Sequence, residues 1–301
     1  AAQRGPGAPL NGPTPDEDAR PWMRGYGFYE DIDEESCADC GYNASIGALM
    51  AGADWATDGG GIVGAFLGLG PGAISYDVDY GTQNEQVTQA FAGIFGSVVP
   101  GDGALYLQGF LMGGYYDFDR TRTISLPDVS TRVAESGNDA WSISAGGELG
   151  LNLEVAERTW LQPFAGVTWG QYWGDGYNET GADSLNLSVQ DQSANQWMPT
   201  AGARLMHSMV SGRDLISPYI GAAFLGQVPV GDGWAPVYTS DFNLGEATQA
   251  GDGPPDRYGV TFQAGIELAR ITGVTLYAAF DGAVLTGKQR FGGQFGVVVP
   301  F

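Results

Sequence analysis

The chain has 301 residues, 49 of them Gly, with 43% hydrophobic and 12% aromatic residues but only 16% charged, against roughly 7% Gly and 25% charged in an average soluble protein. That apolar content excludes a disordered chain, and the Gly lacks the three-residue period of collagen. A total of 35 acidic residues against 13 Lys plus Arg gives a formal net charge of -22, which excludes the basic face a nucleic-acid partner needs.

In chain order, residues 1–20 carry no apolar core and read as a Pro/Gly linker. The sequence leaves open whether a leader or a passenger precedes them. Helix signals are nearly absent downstream, because Gly is too dense for long helices. Alternation with period two recurs instead and predicts twelve strands, at 22–30, 43–55, 61–78, 86–98, 104–119, 139–152, 159–173, 194–209, 216–229, 257–270, 274–286 and 290–301. No apolar run approaches the ~20 residues of a membrane helix. A membrane strand needs only about 10 residues of alternating character, so the absence excludes helical spans alone.

The first connection, 31–42, is acidic and holds Cys37 and Cys40. A lone C-x-x-C can be a redox pair, half a zinc site or a small disulfide loop. No second Cys pair exists and His207 is the only histidine, so zinc is poorly supported. No βαβ pattern surrounds the pair, so a redox motif is weak. A loop disulfide between Cys37 and Cys40 is the expectation in an oxidising compartment. Gly68-Leu69-Gly70-Pro71-Gly72 sits in a strand-like stretch with no helix after it, so it is not a phosphate loop. The run Asp31-Ile32-Asp33-Glu34-Glu35 lacks EF-hand spacing and reads as a solvated face. No metal or cofactor is expected.

The later strands alternate most cleanly. In the last, Phe291, Gly293, Phe295, Val297, Val299 and Phe301 share one face, opposite Arg290, Gly292, Gln294, Gly296, Val298 and Pro300. In 274–285, Val274, Leu276, Ala278, Phe280 and Val284 oppose Thr275, Tyr277, Ala279, Asp281 and Ala283. A soluble β-sandwich would also alternate. Here one face is uniformly apolar and the other small, Gly-rich and sparsely charged, as in a barrel with lipid outside and a polar lumen inside. By this alternation Glu148, Arg204, Gln263, Glu267, Asp281, Arg290 and Gln294 point into the lumen. They either contact a threaded segment and set pore electrostatics, or pair with one another and with lumen water.

The connections fall into two alternating classes. Short ones lie at 56–60, 100–103, 154–158, 211–215 and 271–273; longer, more acidic ones lie at 31–42, 80–85, 120–139, 174–193 and 230–256. An even strand count puts both ends on the short-turn side. Trp55 and Trp160 fall beside short turns, and Trp141, Trp173 and Trp197 toward long loops, where interfacial aromatic belts belong. His207 falls near a short turn, away from the long loops, and reads as a rim residue rather than a catalytic base. The predicted fold is all-β, a 12-stranded antiparallel transmembrane β-barrel spanning 21–301, preceded by the linker 1–20.

Several stretches resemble the translocator β-domain of autotransporters (type V secretion). Trp22-Met23-Arg24-Gly25-Tyr26-Gly27 resembles the family's first strand, and Ala51-Gly52-Ala53-Asp54-Trp55 the end of its second. Leu161-Gln162-Pro163-Phe164-Ala165-Gly166-Val167 is similar to the strand before the family's signature region. The most specific match is Tyr177-Asn178-Glu179-Thr180-Gly181-Ala182-Asp183-Ser184-Leu185-Asn186-Leu187, followed by Thr200-Ala201-Gly202-Ala203-Arg204-Leu205 and the terminal Phe301.

The resemblance implies a monomeric barrel in the lipid of a Gram-negative outer membrane. It implies acidic loops outside, termini on the periplasmic side, and export of an N-terminal passenger that stays anchored. The barrel-assembly machinery is the expected partner, reading Phe295, Gly296, Val297, Val299 and Phe301. It also implies an N-terminal segment, 1–20, in the lumen of the barrel; the family usually threads a helix there, and here Pro6, Pro9, Pro13 and Pro15 resist one. No Asn-Asn junction in 1–20 suggests self-cleavage, and no enzyme activity is expected. The competing reading is a stand-alone outer-membrane pore or adhesion barrel without a passenger.

Overall fold

The computed structural model describes residues 19–32, 41–57, 61–76, 81–100, 104–128, 130–230, 237–240, 247–248, 256–270 and 272–299. Cys37, Cys40, Phe301, residues 1–18 and the acidic residues 33–35 lie outside the described residues.

Twelve strands form the wall: β1 (Arg20–Ile32), β2 (Tyr42–Ala56), β3 (Ile62–Tyr76), β4 (Gly81–Val98), β5 (Leu105–Ile124), β6 (Arg132–Leu151), β7 (Thr159–Gly174), β8 (Gln192–His207), β9 (Asp214–Pro229), β10 (Arg257–Ala269), β11 (Thr275–Leu285) and β12 (Lys288–Val298). Each pairs antiparallel with the next. β1 then pairs with β12, from Trp22↔Val298 to Ile32↔Lys288, so the sheet closes and no edge remains. Closure is what a lipid solvent demands, since hydrocarbon offers no partner to a free N–H or C=O. No helix among the described residues is long and apolar enough to cross a membrane.

The two faces of the wall differ as the alternation predicts. Leu67, Leu69, Ile94, Ile220, Val260 and Phe295 point outward and stay exposed, Phe295 at 65%. A continuous apolar belt of this kind marks a lipid-facing surface. Inward neighbours are small, polar or packed. Across β1–β4 the inner face also carries an aromatic cluster: the rings of Trp22, Phe66, Phe91 and Phe95 contact one another at centroid distances of 6.2–6.4 Å. Each ring lies over a glycine of the neighbouring strand. A Cβ on Gly68 would meet the Phe91 ring at 2.4 Å, and one on Gly64 the Phe95 ring at 2.3 Å. Glycine in these strands therefore makes room for rings, which offsets its entropic cost.

Proline leaves a second local mark. The β2–β3 register omits Gly47 and Ala48 opposite Gly70 and Pro71, and Pro71 has no N–H to give to the ladder. The buried Gln89 side chain on β4 reaches across instead and donates from Nε2 to the Gly47 carbonyl at 3.3 Å.

Strand limits depart from the sequence expectation mainly at one end. The stretch 120–139, expected as a long loop, is mostly strand: β5 runs to Ile124 and β6 starts at Arg132. β4 likewise starts at Gly81, paired with Ile124. Charged and polar residues at period two carry no apolar signal, so alternation against hydrophobicity misses a hairpin that leaves the membrane. The β11–β12 connection is only Thr286–Gly287, with Gly287 at φ +61°, although it lies at the long-loop end. At the short-turn end β6 continues as Leu153–Ala156 and β8 as Met209–Ser211.

The lumen as candidate functional site

The barrel encloses a cavity of about 700 Å³. Glu148, Arg204, Gln263, Asp281, Arg290 and Gln294 line it, together with Arg24, Gln108 and Tyr277. Glu267 also faces inward but is packed at the short-turn end of β10, 3% exposed and outside that cavity.

The central feature is a charge pair. Arg204 on β8 donates from both terminal nitrogens to the two oxygens of Glu148 on β6, each at 2.7 Å. Glu148 Oε1 also accepts from the Tyr106 hydroxyl at 2.8 Å and from Gln108 Nε2 at 2.9 Å. The guanidinium lies 3.9 Å from the centroid of the Phe164 ring on β7. Bidentate geometry and extra donors are what allow two charges to sit away from bulk water. The pair spans β7, so it braces three strands across the inside of the wall.

A second pair marks where the chain enters. Arg20, the first residue of β1, donates from Nε and Nη2 to Asp54 Oδ1 on β2 at 3.0 and 2.9 Å. Both side chains are nearly inaccessible. At the opposite end Lys288 pairs with Glu30 at 2.9 Å, and Arg120 with Glu85 at 2.6 Å.

Two lumen arginines differ from these. Arg24 on β1 and Arg290 on β12 have buried Nε atoms without a hydrogen-bond partner. Each is held against a ring instead: Arg24 5.9 Å from the Tyr277 centroid and Arg290 5.6 Å from Phe28. Arg24 is missed by the sequence reading, although its even-numbered position on β1 puts it on the inner face with Trp22 and Tyr26.

The long-loop end carries an ordered cap. Residues 175–191 fold against the inner face of the tall β5–β6 hairpin. Arg122 donates to both Glu179 oxygens, at 2.9 and 2.5 Å, and to the Leu185 carbonyl at 2.8 Å. Glu179 also accepts from the Leu187 backbone N–H at 2.8 Å. Ala182 is fully buried against Ile124 and Ala134. Glu135 and Thr180 exchange backbone hydrogen bonds, which pairs β6 beyond the point where β7 ends. Leu187–Val189 pairs in turn with Val237–Ser240.

The remaining sequence candidates lie on the wall or rim. Phe295 faces outward, Gly296 is paired between Arg24 and Tyr277, Val297 lies between Met23 and Leu276, and the Val299 N–H donates to the Pro21 carbonyl at 3.1 Å. His207 is exposed at the end of β8, with Nδ1 2.9 Å from Thr159 Oγ1.

A closed, even-numbered antiparallel barrel with an apolar outer belt and a charged lumen defines the class of outer-membrane β-barrels. The family model for the autotransporter β-domain matches residues 21–281, and the chain belongs to that family. Comparison with curated proteins finds no match. Among solved structures, the β-domain of the Bordetella autotransporter BrkA is similar over 95% of this chain and all of its own, at 20% identity and a TM-score of 0.70. The translocator domain of NalP from Neisseria meningitidis covers 94% of this chain and 88% of its own, at 18% identity and 0.68. The transport unit of AIDA-I from Escherichia coli covers 94% and 90%, at 16% and 0.62. At these identities the structures speak for the fold; the family match carries the function. The protein is an outer-membrane translocator barrel of type V secretion that anchors and exports an N-terminal passenger.

Proposed function

We propose that residues 1–20 run through the lumen and connect the exported passenger to the periplasmic start of β1. The short turns and both barrel ends then face the periplasm, and the long acidic connections face outward. The observation that carries this reading is the Arg20–Asp54 pair. It fixes the first strand residue with its side chain inside the barrel, so the chain before it begins at the mouth of the lumen. Residues 21–301 act as one monomeric domain, and a single closed wall needs no second copy to satisfy its edges. Glu148, Arg204, Gln263, Asp281, Arg290 and Gln294 set the electrostatics along the route, and Glu267 adds its charge from the wall at the short-turn end. Phe295, Gly296, Val297, Val299 and Phe301 form the signal that the assembly machinery reads, at the end of the chain whose strand β12 closes the barrel against β1. Cys37 and Cys40 form a disulfide in the first external loop. The barrel works without catalysis: His207 is tied to a threonine at the rim, and no ion pair reaches it among the described residues.

Planar-bilayer conductance tests the threading. The 301-residue chain is expected to conduct weakly and a chain lacking residues 1–18 several-fold more. Equal conductance from the two overturns the reading.

A further inference from the structure

We infer that the lumen holds a binding site for a single-chain anionic amphiphile, a medium-chain carboxylate being the simplest. Arg24 binds the head, and Trp22, Met50, Phe66 and Phe95 take the chain. The site goes beyond export and needs only residues of the barrel wall.

The head group follows from charge. Among the described charges lining the cavity, Arg204 is saturated by Glu148, and Asp54 is held by Arg20. Arg24, Arg290 and Asp281 remain. Arg290 is in register with Ala283 on β11, so Asp281 lies on its diagonal, about 7–8 Å away. Arg24 is in register with Gly296, and Gly296 with Tyr277. Asp281 is four residues further along β11, about 13 Å. Glu267, on the strand beyond Tyr277, is packed outside the cavity. Arg24 is thus the cavity cation left without an acid beside it among the described residues. Its buried Nε has no hydrogen-bond partner, and its ring contact with Tyr277 is long, at 5.9 Å. A guanidinium so placed is costly unless an anion is supplied, and a carboxylate answers it with two parallel hydrogen bonds.

The apolar chain follows from packing. Trp22 is two residues from Arg24 on the same face of β1, and Met50 on β2 is in register with Arg24. The Trp22, Phe66 and Phe95 rings lie 6.2–6.4 Å apart, and all three face the cavity with Met50. From Arg24 on β1 to Phe95 on β4 is three strand spacings, about 14 Å, a span suited to a medium-length acyl chain. The cavity, at about 700 Å³, has the size of a small-molecule pocket, about 300–1,000 Å³, and its plan of apolar walls with few placed polar groups. Because β1 pairs with β12 and closes the wall, a ligand enters through a mouth of the barrel and not sideways from the bilayer. That route suits a single free chain rather than a two-chain lipid.

The test is tryptophan quenching by dodecanoate brominated at its last carbon, with the full chain refolded in phosphatidylcholine vesicles. Probe dissolved in the bilayer quenches the outward tryptophans, such as Trp141 and Trp173, in proportion to its amount. Probe in the lumen quenches Trp22 and saturates. Brominated dodecanol, with the same chain and no carboxylate, measures the first component alone. The carboxylate is expected to show a saturable component that Trp22→Phe loses. Arg24→Gln is expected to weaken the saturable binding about tenfold. Met50→Glu, which gives Arg24 an acid within the wall, is expected to do the same. Heat-modifiable gel mobility verifies that each variant is folded. Quenching of the full chain without a saturable component overturns the site. An equal saturable component with the alcohol overturns the role of the carboxylate, and one that persists in Trp22→Phe overturns the placement of the chain. Unchanged affinity in a folded Arg24→Gln or Met50→Glu overturns Arg24 as the head-group residue.

Discussion

Glu148 holds three donors at once, from Tyr106, Gln108 and Arg204, and this decides what its loss does. Removing the carboxylate leaves the Arg204 guanidinium enclosed with no counter-charge, whereas removing both partners leaves no unpaired charge beside the Phe164 ring. Glu148→Leu is therefore expected to lower unfolding stability by about 3 kcal/mol, and Glu148→Leu/Arg204→Leu by much less. Denaturant titration of the refolded barrel in detergent, followed by tryptophan fluorescence, measures both. An equal cost for the single and double variants would contradict the bracing role. The inward direction of both residues is a period-two property, legible in the sequence. Their pairing is not, because they are 56 residues apart on strands separated by β7. Alternation gives a direction and no rotation around the barrel. The orphan Arg24 was equally hidden: it sits in a motif, Trp22–Gly27, whose neighbours are aromatic and Gly, and only closure puts it against Tyr277 of β11.

The elements carry a different lesson. Twelve strands and their alternating faces were legible because lipid outside and a lumen inside impose opposite chemistry on successive residues. The long-loop end was not, because above the membrane that constraint stops. There β5 and β6 extend by polar residues, and residues 175–191 supply what their inner face lacks. Glu179 is the hinge of that arrangement, held by Arg122 with side-chain exposures of 6% and 20%. Charge-assisted bidentate contacts of this kind contribute about 1.5–3 kcal/mol. Glu179→Gln is expected to release the loop, with cleavage between residues 175 and 191 by added protease accelerating about tenfold in intact outer-membrane preparations. Unchanged cleavage would mean that the buried Ala182 contact with Ile124 and Ala134 holds the loop alone. The signature stretch Tyr177–Leu187 was visible as a motif, yet its job of capping the β5–β6 hairpin depends on a hairpin that hydrophobic alternation does not report.

For the whole molecule, solvent sets the chemistry of each surface. Five of the chain's 13 cations are spent in enclosed pairs within the wall and cap, as Arg20–Asp54, Arg120–Glu85, Arg122–Glu179, Arg204–Glu148 and Lys288–Glu30. The excess of 35 acids over 13 bases is left to the loops. The same asymmetry predicts how substitutions act. Leu69 lies midway along β3 and is 62% exposed on the outer face, while Gln263 lines the cavity. A cation on the lipid face at mid-depth costs about 2–4 kcal/mol, whereas one in an aqueous lumen keeps its hydration. Leu69→Arg is thus expected to destabilise the barrel by that amount in phospholipid vesicles, and Gln263→Arg by far less. Reversible denaturant unfolding in vesicles distinguishes the two. The opposite order would place lipid against the charged face, and a closed barrel with its charges turned outward could not span a membrane.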